Sequence, residues 1–332
     1  MPYLGYGTRE RLIVSGRVLE DEGFTPAADA DGRWRNLVRF WKRLESDEVP
    51  GARLRARALG RETEGVTDAE GYFRLSIAPR GRLGPGVWQE VQLELAGKDA
   101  VTATARVLVP SPRARFGVIS DIDDTIVASH VGSKLKMILT AVLSNARTRK
   151  PFPGVAAFYR ALHAGVNPFF YVSKSPWNLY APLLEYLEIQ RLPLGPLLLR
   201  DFGLRPEKEH KRKAIGEILA TYPKLRFILI GDSGEQDPEV YSAVVHRHPE
   251  RIRAIYIRSV NQAPDRLAAI ELLVREVAKT GCQLVLAKEA EQAAAHAAAE
   301  SLIQASELRA VRADSDSDRS SSKPAVSSGA LK

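Results

Sequence analysis

Residues 11–19, 52–60, 71–79, 87–97 and 101–109 alternate in part between apolar and polar positions: RLIVSGRVL, ARLRARALG, GYFRLSIAP, VWQEVQLELAG and VTATARVLV. Alternation with a period of two puts successive side chains on opposite faces of a strand, and the turn-rich stretches GRETEGVTDAEG and APRGRLGPG separate some of these segments. Several short strands without a long helix predict a small antiparallel β-sandwich over residues 1–110. Trp34, Trp41, Tyr72, Phe73 and Trp88 are read as its core and rim packing rather than as a sugar platform.

Beyond the boundary PSPRAR (110–115) the pattern changes. RFGVIS is an apolar-leaning strand running into DIDDT. FPGVAAFYRALHAG has helical spacing, with Pro near its start and Gly just past its end. VNPFFYVS reads as a strand, SPWNLYAPLLEYLEIQ as a turn into a helix, and KEHKRKAIGEILATYP as an amphipathic helix with Ile215, Ile218 and Leu219 on one face. LRFILIGDSG and RIRAIYIRSV are further strands, and APDRLAAIELLVREVAKTG a further helix. Strands alternating with helices predict a mostly parallel sheet covered on both faces, an α/β domain over 111–283. Residues 284–310 read as an alanine-rich helical extension, with His296 incidental. The Ser- and Asp-rich residues 311–332 are expected to be disordered, completing a third segment, 284–332.

Composition narrows the class. With 332 residues, 45% of them hydrophobic, the chain can bury a large core and two domains. Its single cysteine, Cys282, excludes an intrachain disulfide framework and reads as structural, which makes a reducing cytoplasm the simpler compartment. The first residues lack a secretory apolar core, and no run of some 18 apolar residues follows, so neither export nor a membrane span is expected. The net charge of +8 favours anionic partners in general or a solvated basic surface. Zinc-finger spacing, an RNA module and a DNA-reading helix are all absent from the sequence, so nothing points specifically to nucleic acid.

The acidic run SDIDDTIV (120–127) sharpens this picture. Three carboxylates at the end of a buried strand repel one another and need a cation or positioned donors. Ligands of open α/β sheets bind beyond the carboxyl ends of the strands. Three such ends offer candidates: Asp121, Asp123 and Thr125 after one strand, Ser173, Lys174 and Ser175 after another, and Asp232, Ser233 and Asp237 after a third. Asp121, Asp232 and Asp237 supply oxygen ligands suited to Mg²⁺. Asp121 is placed to attack phosphorus, and Asp123 to protonate a leaving oxygen and then activate water. Ser173 can bind phosphoryl oxygens, and a lysine near the next helix start can neutralise their charge.

DIDDT resembles the DxDxT motif of the haloacid dehalogenase-like (HAD) phosphohydrolases, and the later Ser, Lys and acidic pair follow in that superfamily's order. The resemblance makes Asp121 nucleophile and metal ligand, and Asp123 the general acid/base that also offers its backbone carbonyl to the metal. It makes Thr125 a loop support, Ser173 a phosphate ligand, and Asp232 with Asp237 the rest of the metal site. The lysine is one of Lys208, Lys211 and Lys213. SDIDDTI, YVSKSPWNLY, LLLRDFG, EHKRKAI and FILIGDSGEQDPEVY together look like the catalytic domain of actin-patch-type, Mg²⁺-dependent phosphatidate phosphatases and their bacterial relatives, over about residues 112–280. That family's HK followed four residues later by Ile selects Lys211 and Ile215. The same resemblance makes Ser175, Trp177, Tyr180, Arg200, Asp201 and Phe202 candidates for the substrate mouth. Packing at the helix start is the competing reading of Trp177 and Tyr180, and pairing with Asp201 that of Arg200. TDAEGYFRL is weakly similar to transthyretin-like and carboxypeptidase-regulatory-like modules.

Only one short insert, ASHVGSKLKMILTAVLSNARTRKP (128–151), separates the first motif from the next helix. Its basic residues Lys134, Lys136, Arg147, Arg149 and Lys150 flank the apolar KLKMILTAVL, which suits either an anionic membrane interface or a packed cap helix. An open mouth admits a bulky headgroup. The expectation is therefore a Mg²⁺-dependent phosphatase releasing diacylglycerol from phosphatidate, cytoplasmic or peripheral at the inner face of the membrane. Two readings stay open beside it: the same chemistry on a nucleic-acid end, phosphoprotein or small metabolite, and a non-catalytic scaffold in which the N-terminal sandwich recruits a partner.

Overall fold

The computed structural model describes residues 1–20, 48–97, 101–122, 152–200, 209–260 and 263–322, with side chains to 320. Trp34, Trp41, Asp123, Thr125, Asp201, Phe202, Lys208 and the insert 128–151 lie outside the described residues.

Seven strands form one sheet: β1 (Gly5–Gly7), β2 (Leu12–Arg17), β3 (Arg53–Ala58), β4 (Arg61–Val66), β5 (Tyr72–Ile77), β6 (Trp88–Leu95) and β7 (Val101–Leu108). Their order is β4-β3-β6-β7-β1-β2-β5, antiparallel except for the β1–β7 pair. The sheet curls until its two ends meet, since a Cβ on Gly65 of β4 would stand 2.4 Å from Leu75 of β5. The enclosed core takes alternate residues, Leu12 and Val14, Leu54 and Ala56, Phe73 and Leu75, Val91 and Leu93. Each large aliphatic side chain so buried contributes about 1.5–3 kcal/mol. β4 falls in a stretch that reads as turn, because RETEGV has no buried face. Its ladder with β3 carries opposed charges instead, with Arg55 2.8 Å from Glu64 and Arg57 2.8 Å from Glu62.

The second sheet has six parallel strands in the order β10-β9-β8-β11-β12-β13. These are β8 (Gly117–Ser120), β9 (Phe169–Pro176), β10 (Leu197–Arg200), β11 (Phe227–Asp232), β12 (Ile252–Arg258) and β13 (Gln283–Ala287). Helices α1 (Val155–His163), α2 (Tyr180–Ile189), α3 (His210–Thr221), α4 (Asp237–Arg247), α5 (Pro264–Ala278), α6 (Ala290–Ala299) and α7 (Ala305–Ser322) accompany it. Alternate strand residues feed two cores. Val118, Tyr171, Ile228 and Tyr256 join Phe158, Leu187, Ala294 and Val311 on one face. Ile119, Phe170, Leu229 and Ile255 join Ile215, Ile218, Val245 and Val277 on the other. Both faces of the parallel sheet are therefore covered, as its near-continuous apolar strands require.

The C-terminal region departs from the sequence reading. Residues 284–287, read as the head of a helix, belong to β13, which satisfies the open edge of β12. Residues 305–322, expected to be disordered from 311 onward, form α7. Val311 is buried, and Gly154, at φ +77°, lets the helix approach so closely that a Cβ there would meet Ser315 at 3.2 Å. His296 has structural partners: its ring nitrogens lie 3.1 Å from the Tyr256 hydroxyl and 2.7 Å from Gln283 Oε1. Cys282 is buried, and that burial pushes its thiol up to about 11.

Residues 3–7 join the two sheets. Tyr3 stacks on Trp177 at 4.8 Å and packs against Tyr180. The Leu4 N–H donates to the Tyr180 hydroxyl at 2.5 Å and the Gly7 N–H to the Tyr222 hydroxyl at 3.1 Å.

Candidate active site

In the strand order β9-β8-β11, three parallel strands end side by side, which brings Asp121, Ser173 and Asp232 to one rim. The Asp121 N–H extends the ladder by donating to the Ile230 carbonyl at 2.8 Å, so its position is set by backbone pairing. Beneath it, Ser120 Oγ donates to the Asp121 carbonyl at 2.7 Å and lies 2.7 Å from the Tyr159 hydroxyl. Ser173 is fully buried, and its Oγ accepts the Ser175 N–H at 2.8 Å within the C-terminal part of β9, where the register with β10 shifts.

Lys211, in the first turn of α3, is buried and points at this rim. Its Nζ lies 3.0 Å from Asp121 Oδ1, 2.5 Å from Asp237 Oδ1 and 3.1 Å from Glu235 Oε2. Burial opposes the ammonium charge, but Asp121, Asp237, Tyr241 and Glu235 outweigh it and hold the lysine well above its ordinary range. Glu235 also faces Lys174 Nζ at 3.1 Å. Although its burial works the other way, the two lysines hold its carboxyl below the ordinary value. Lys213 is exposed on the same helix.

Asp237 is oriented from two sides. Its Oδ2 accepts the Asp232 N–H at 3.1 Å while Oδ1 takes Lys211. The approach is possible because residue 231 is glycine: a Cβ there would lie 2.4 Å from Asp237 Oδ2. Asp232 accepts the Gly234 N–H at 2.6 Å on Oδ1 and Arg258 Nη2 at 2.8 Å on Oδ2. Arg258 lies over the Phe152 ring at 3.5 Å.

The donor set suits a hard divalent cation in kind, since Asp121 and Asp232 are carboxylates on adjacent strand ends. Among the described residues there is no group of three His, Cys, Asp or Glu side chains that could hold a metal ion. Both Asp237 oxygens face protein donors, Lys211 and the Asp232 N–H, as both Asp232 oxygens face Arg258 and the Gly234 N–H.

Of the mouth candidates, Ser175 is buried near the C-terminal end of β9 and Arg200 ends the outer strand β10. Trp177 and Tyr180 pack against Tyr3, the competing reading of these residues. Glu235, Arg258, Tyr159 and Gly231 were not anticipated as contributors. Glu235 stood inside the quoted GDSGEQD, and Arg258 is a charge at the end of the apolar run IYIRSV, where a strand-end rule could have found it. Nothing local marks Tyr159.

Residues 116–259 match the family model described as "Phosphatidate phosphatase APP1, catalytic domain". That stretch carries Asp121, Ser173, Lys211, Asp232 and Asp237. The chain is 36% identical over 169 residues to "Phosphatidate phosphatase APP1" of Saccharomyces cerevisiae, covering 48% of this chain and 28% of that one. It is 28% identical over 206 residues to "Uncharacterized protein C29B5.04c" of Schizosaccharomyces pombe, covering 59% and 34%. The chain thus spans about a third of the length of these curated relatives. Among solved structures, a HAD family hydrolase from Deinococcus radiodurans R1, crystallised with bound phosphate and sodium, aligns with a TM-score of 0.33 and 18% identity over 58% of this chain and 99% of that one. Among the described residues no helix is long and apolar enough to cross a membrane.

Proposed function

We propose that the protein is a Mg²⁺-dependent phosphomonoester hydrolase that converts phosphatidate to diacylglycerol and phosphate through an aspartyl-phosphate. One observation carries this reading: a buried lysine bonded to Asp121 and Asp237 at the shared end of β8 and β11, inside the stretch matched by the phosphatidate phosphatase family.

An Asp121 carboxylate oxygen attacks phosphorus. The new O–P bond forms as the bond from phosphorus to the glycerol oxygen breaks, and Asp123 gives that oxygen its proton, releasing diacylglycerol. Asp123, now a carboxylate, takes a proton from water. The resulting hydroxide oxygen attacks phosphorus, the acyl-phosphate O–P bond breaks, and phosphate leaves with the Asp121 carboxylate restored. Lys211 faces the attacking Asp121 carboxylate and offsets charge on the transferring phosphoryl group, with Asp237 and Glu235 holding its ammonium in place. Ser173 and backbone N–H groups at the C-terminal end of β9 bind phosphoryl oxygens. Asp121, Asp232, the backbone carbonyl of Asp123 and, close behind them, Asp237 would hold Mg²⁺, whose bound charge would supply further electrostatic stabilisation of the phosphoryl oxygens. The basic surface and the insert 128–151 bring the protein to an anionic membrane face.

The test is phosphate release from phosphatidate in mixed micelles with Mg²⁺, against lysophosphatidate, nucleotide and sugar phosphates. Preference for phosphatidate, lost in Asp121→Asn and on chelation, supports the reading. Rapid turnover of soluble esters with none of phosphatidate overturns the lipid assignment, and activity that survives Asp121→Asn overturns the mechanism.

A further inference from the structure

Beside the candidate site, α1, the ends of β11–β13 and α6 border a cavity of about 200 Å³. Its walls include Val155, Phe158, Ile230, Tyr256, Ala290 and Ala293. The two tyrosines of its lining offer ring faces only. The Tyr256 hydroxyl is bonded to His296 and that of Tyr159 to Ser120. Such walls offer little to a sugar or a nucleobase, whose polar edges would lose water without finding partners. They suit hydrocarbon, and a dry apolar cavity of about 150 Å³ is already enough to hold benzene.

The cavity is also joined to the rim where the phosphoryl group would lie. Arg258 lines it and pairs with Asp232, and Tyr159 lines it and reaches Ser120, which in turn bonds the Asp121 carbonyl. Lys288 adds a second cation at its border, beside Arg319, which pairs with Glu289 at 2.7 Å. Apolar walls, a border with three cations against one carboxylate, Glu289, and a shared boundary with Asp121 and Asp232 match an amphiphile with an anionic head.

We propose that this cavity receives the first methylenes of the hydrocarbon chain of an amphiphilic phosphate monoester whose phosphate is held at Asp121, Ser173 and Lys211. The assignment rests on the phosphatase reading and gives that site a chain-length preference.

Binding of methyl, butyl, hexyl and octyl phosphate to full-length Asp121→Asn protein with Mg²⁺, read by calorimetry below their micelle concentrations, tests it without turnover. The dissociation constant should fall by up to about fourfold per methylene until the cavity fills, the equivalent of about 0.8 kcal/mol per buried methylene. Ala290→Phe or Ala293→Leu, each added separately to fill the cavity, should flatten that slope while methyl phosphate binding stays within about twofold, because neither residue touches Asp121, Ser173 or Lys211. Ala290 is only partly buried, so its variant remains informative if Ala293→Leu fails to fold. In the unsubstituted cavity, 1-octanol should weaken octyl phosphate binding and leave methyl phosphate binding unchanged. An affinity independent of chain length, or a slope that survives in the folded variants, overturns the assignment. Phosphate release by wild-type protein is scored separately. A chain-length slope in binding with no ester hydrolysed would retain the cavity and sink the phosphatase reading. Hydrolysis without the slope would do the reverse.

Discussion

Lys211 Nζ lies 2.5 Å from Asp237 Oδ1, and the same ammonium lies 3.0 Å from Asp121 Oδ1. One side chain from α3 thus ties the end of β8 to the first turn of α4. All three side chains are buried, so the network is sensitive to the loss of any one charge.

Lys211→Met leaves Asp121, Asp237 and Glu235 facing one another without their shared cation. Its unfolding free energy should fall by about 3–5 kcal/mol, the cost of breaking a buried ion pair. Phosphate release should fall by at least about 100-fold. Adding Asp237→Asn should restore part of the stability and none of the activity. Urea unfolding of both variants checks this, and a Lys211→Met midpoint equal to wild type would refute the account.

Gly231→Ala places a methyl where 2.4 Å separates it from Asp237 Oδ2 and 2.7 Å from the Tyr241 ring. The collision cannot be relieved by a flexible tip, because Tyr241 is buried with its hydroxyl donating to the Ile230 carbonyl. Overpacking of this kind costs about 1–3 kcal/mol. Displacement of Asp237 should also lower the rate at saturating substrate more than it alters KM. Retention of both stability and rate would show that β11 and α4 can separate freely.

Tyr180→Phe removes the acceptor of the Leu4 N–H at the joint between the sheets. A buried donor left unsatisfied costs about 1–3 kcal/mol. Hydrogen exchange at Leu4 should quicken more than at core amides of β11, whereas an unchanged exchange rate would mean that the joint rests on its ring packing and the Gly7–Tyr222 hydrogen bond rather than on the Leu4 N–H.

Cys282 should resist alkylation at pH 8 in the folded protein and react once urea exposes it. Its folded pKa of about 11 lies above its ordinary 9.0, so the proton is held more tightly in the folded state. The associated stability is fully present below about pH 9 and is lost as the pH rises through about 11. Iodoacetamide labelling followed by mass analysis measures this. Rapid labelling of the native protein at pH 8 would contradict it.

Much of the molecule is legible in one dimension. Period-two alternation identified β2, β3, β5, β6 and β7, and apolar runs alternating with amphipathic stretches identified β8, β9, β11 and β12 with their helices. These signals are local consequences of burying one face or two, so they survive in sequence. The strand-end groups Asp121, Asp232 and Ser173 were legible for the same reason, being polar groups where an apolar run stops, whereas Lys211 was singled out only by the family resemblance.

What the chain alone did not reveal depends on neighbours. RETEGV has no buried face, and only the opposed charges and open edge of β3 make β4 a strand. LVLA has helix formers on its C-terminal side, yet β12 offers it an unpaired edge. α7 is mostly polar, and it is held by Val311 and by the space that Gly154 leaves. Sequence by itself determined which residue types stand at the strand ends, because hydrophobic periodicity is a property of each segment. Only the tertiary structure decided that Lys211 and Glu235 meet Asp121 and Asp237, that Arg258 takes Asp232, and that an apolar cavity adjoins them. Those contacts arise from strand order and helix packing, and no local pattern encodes the distance between residues so far apart in the chain.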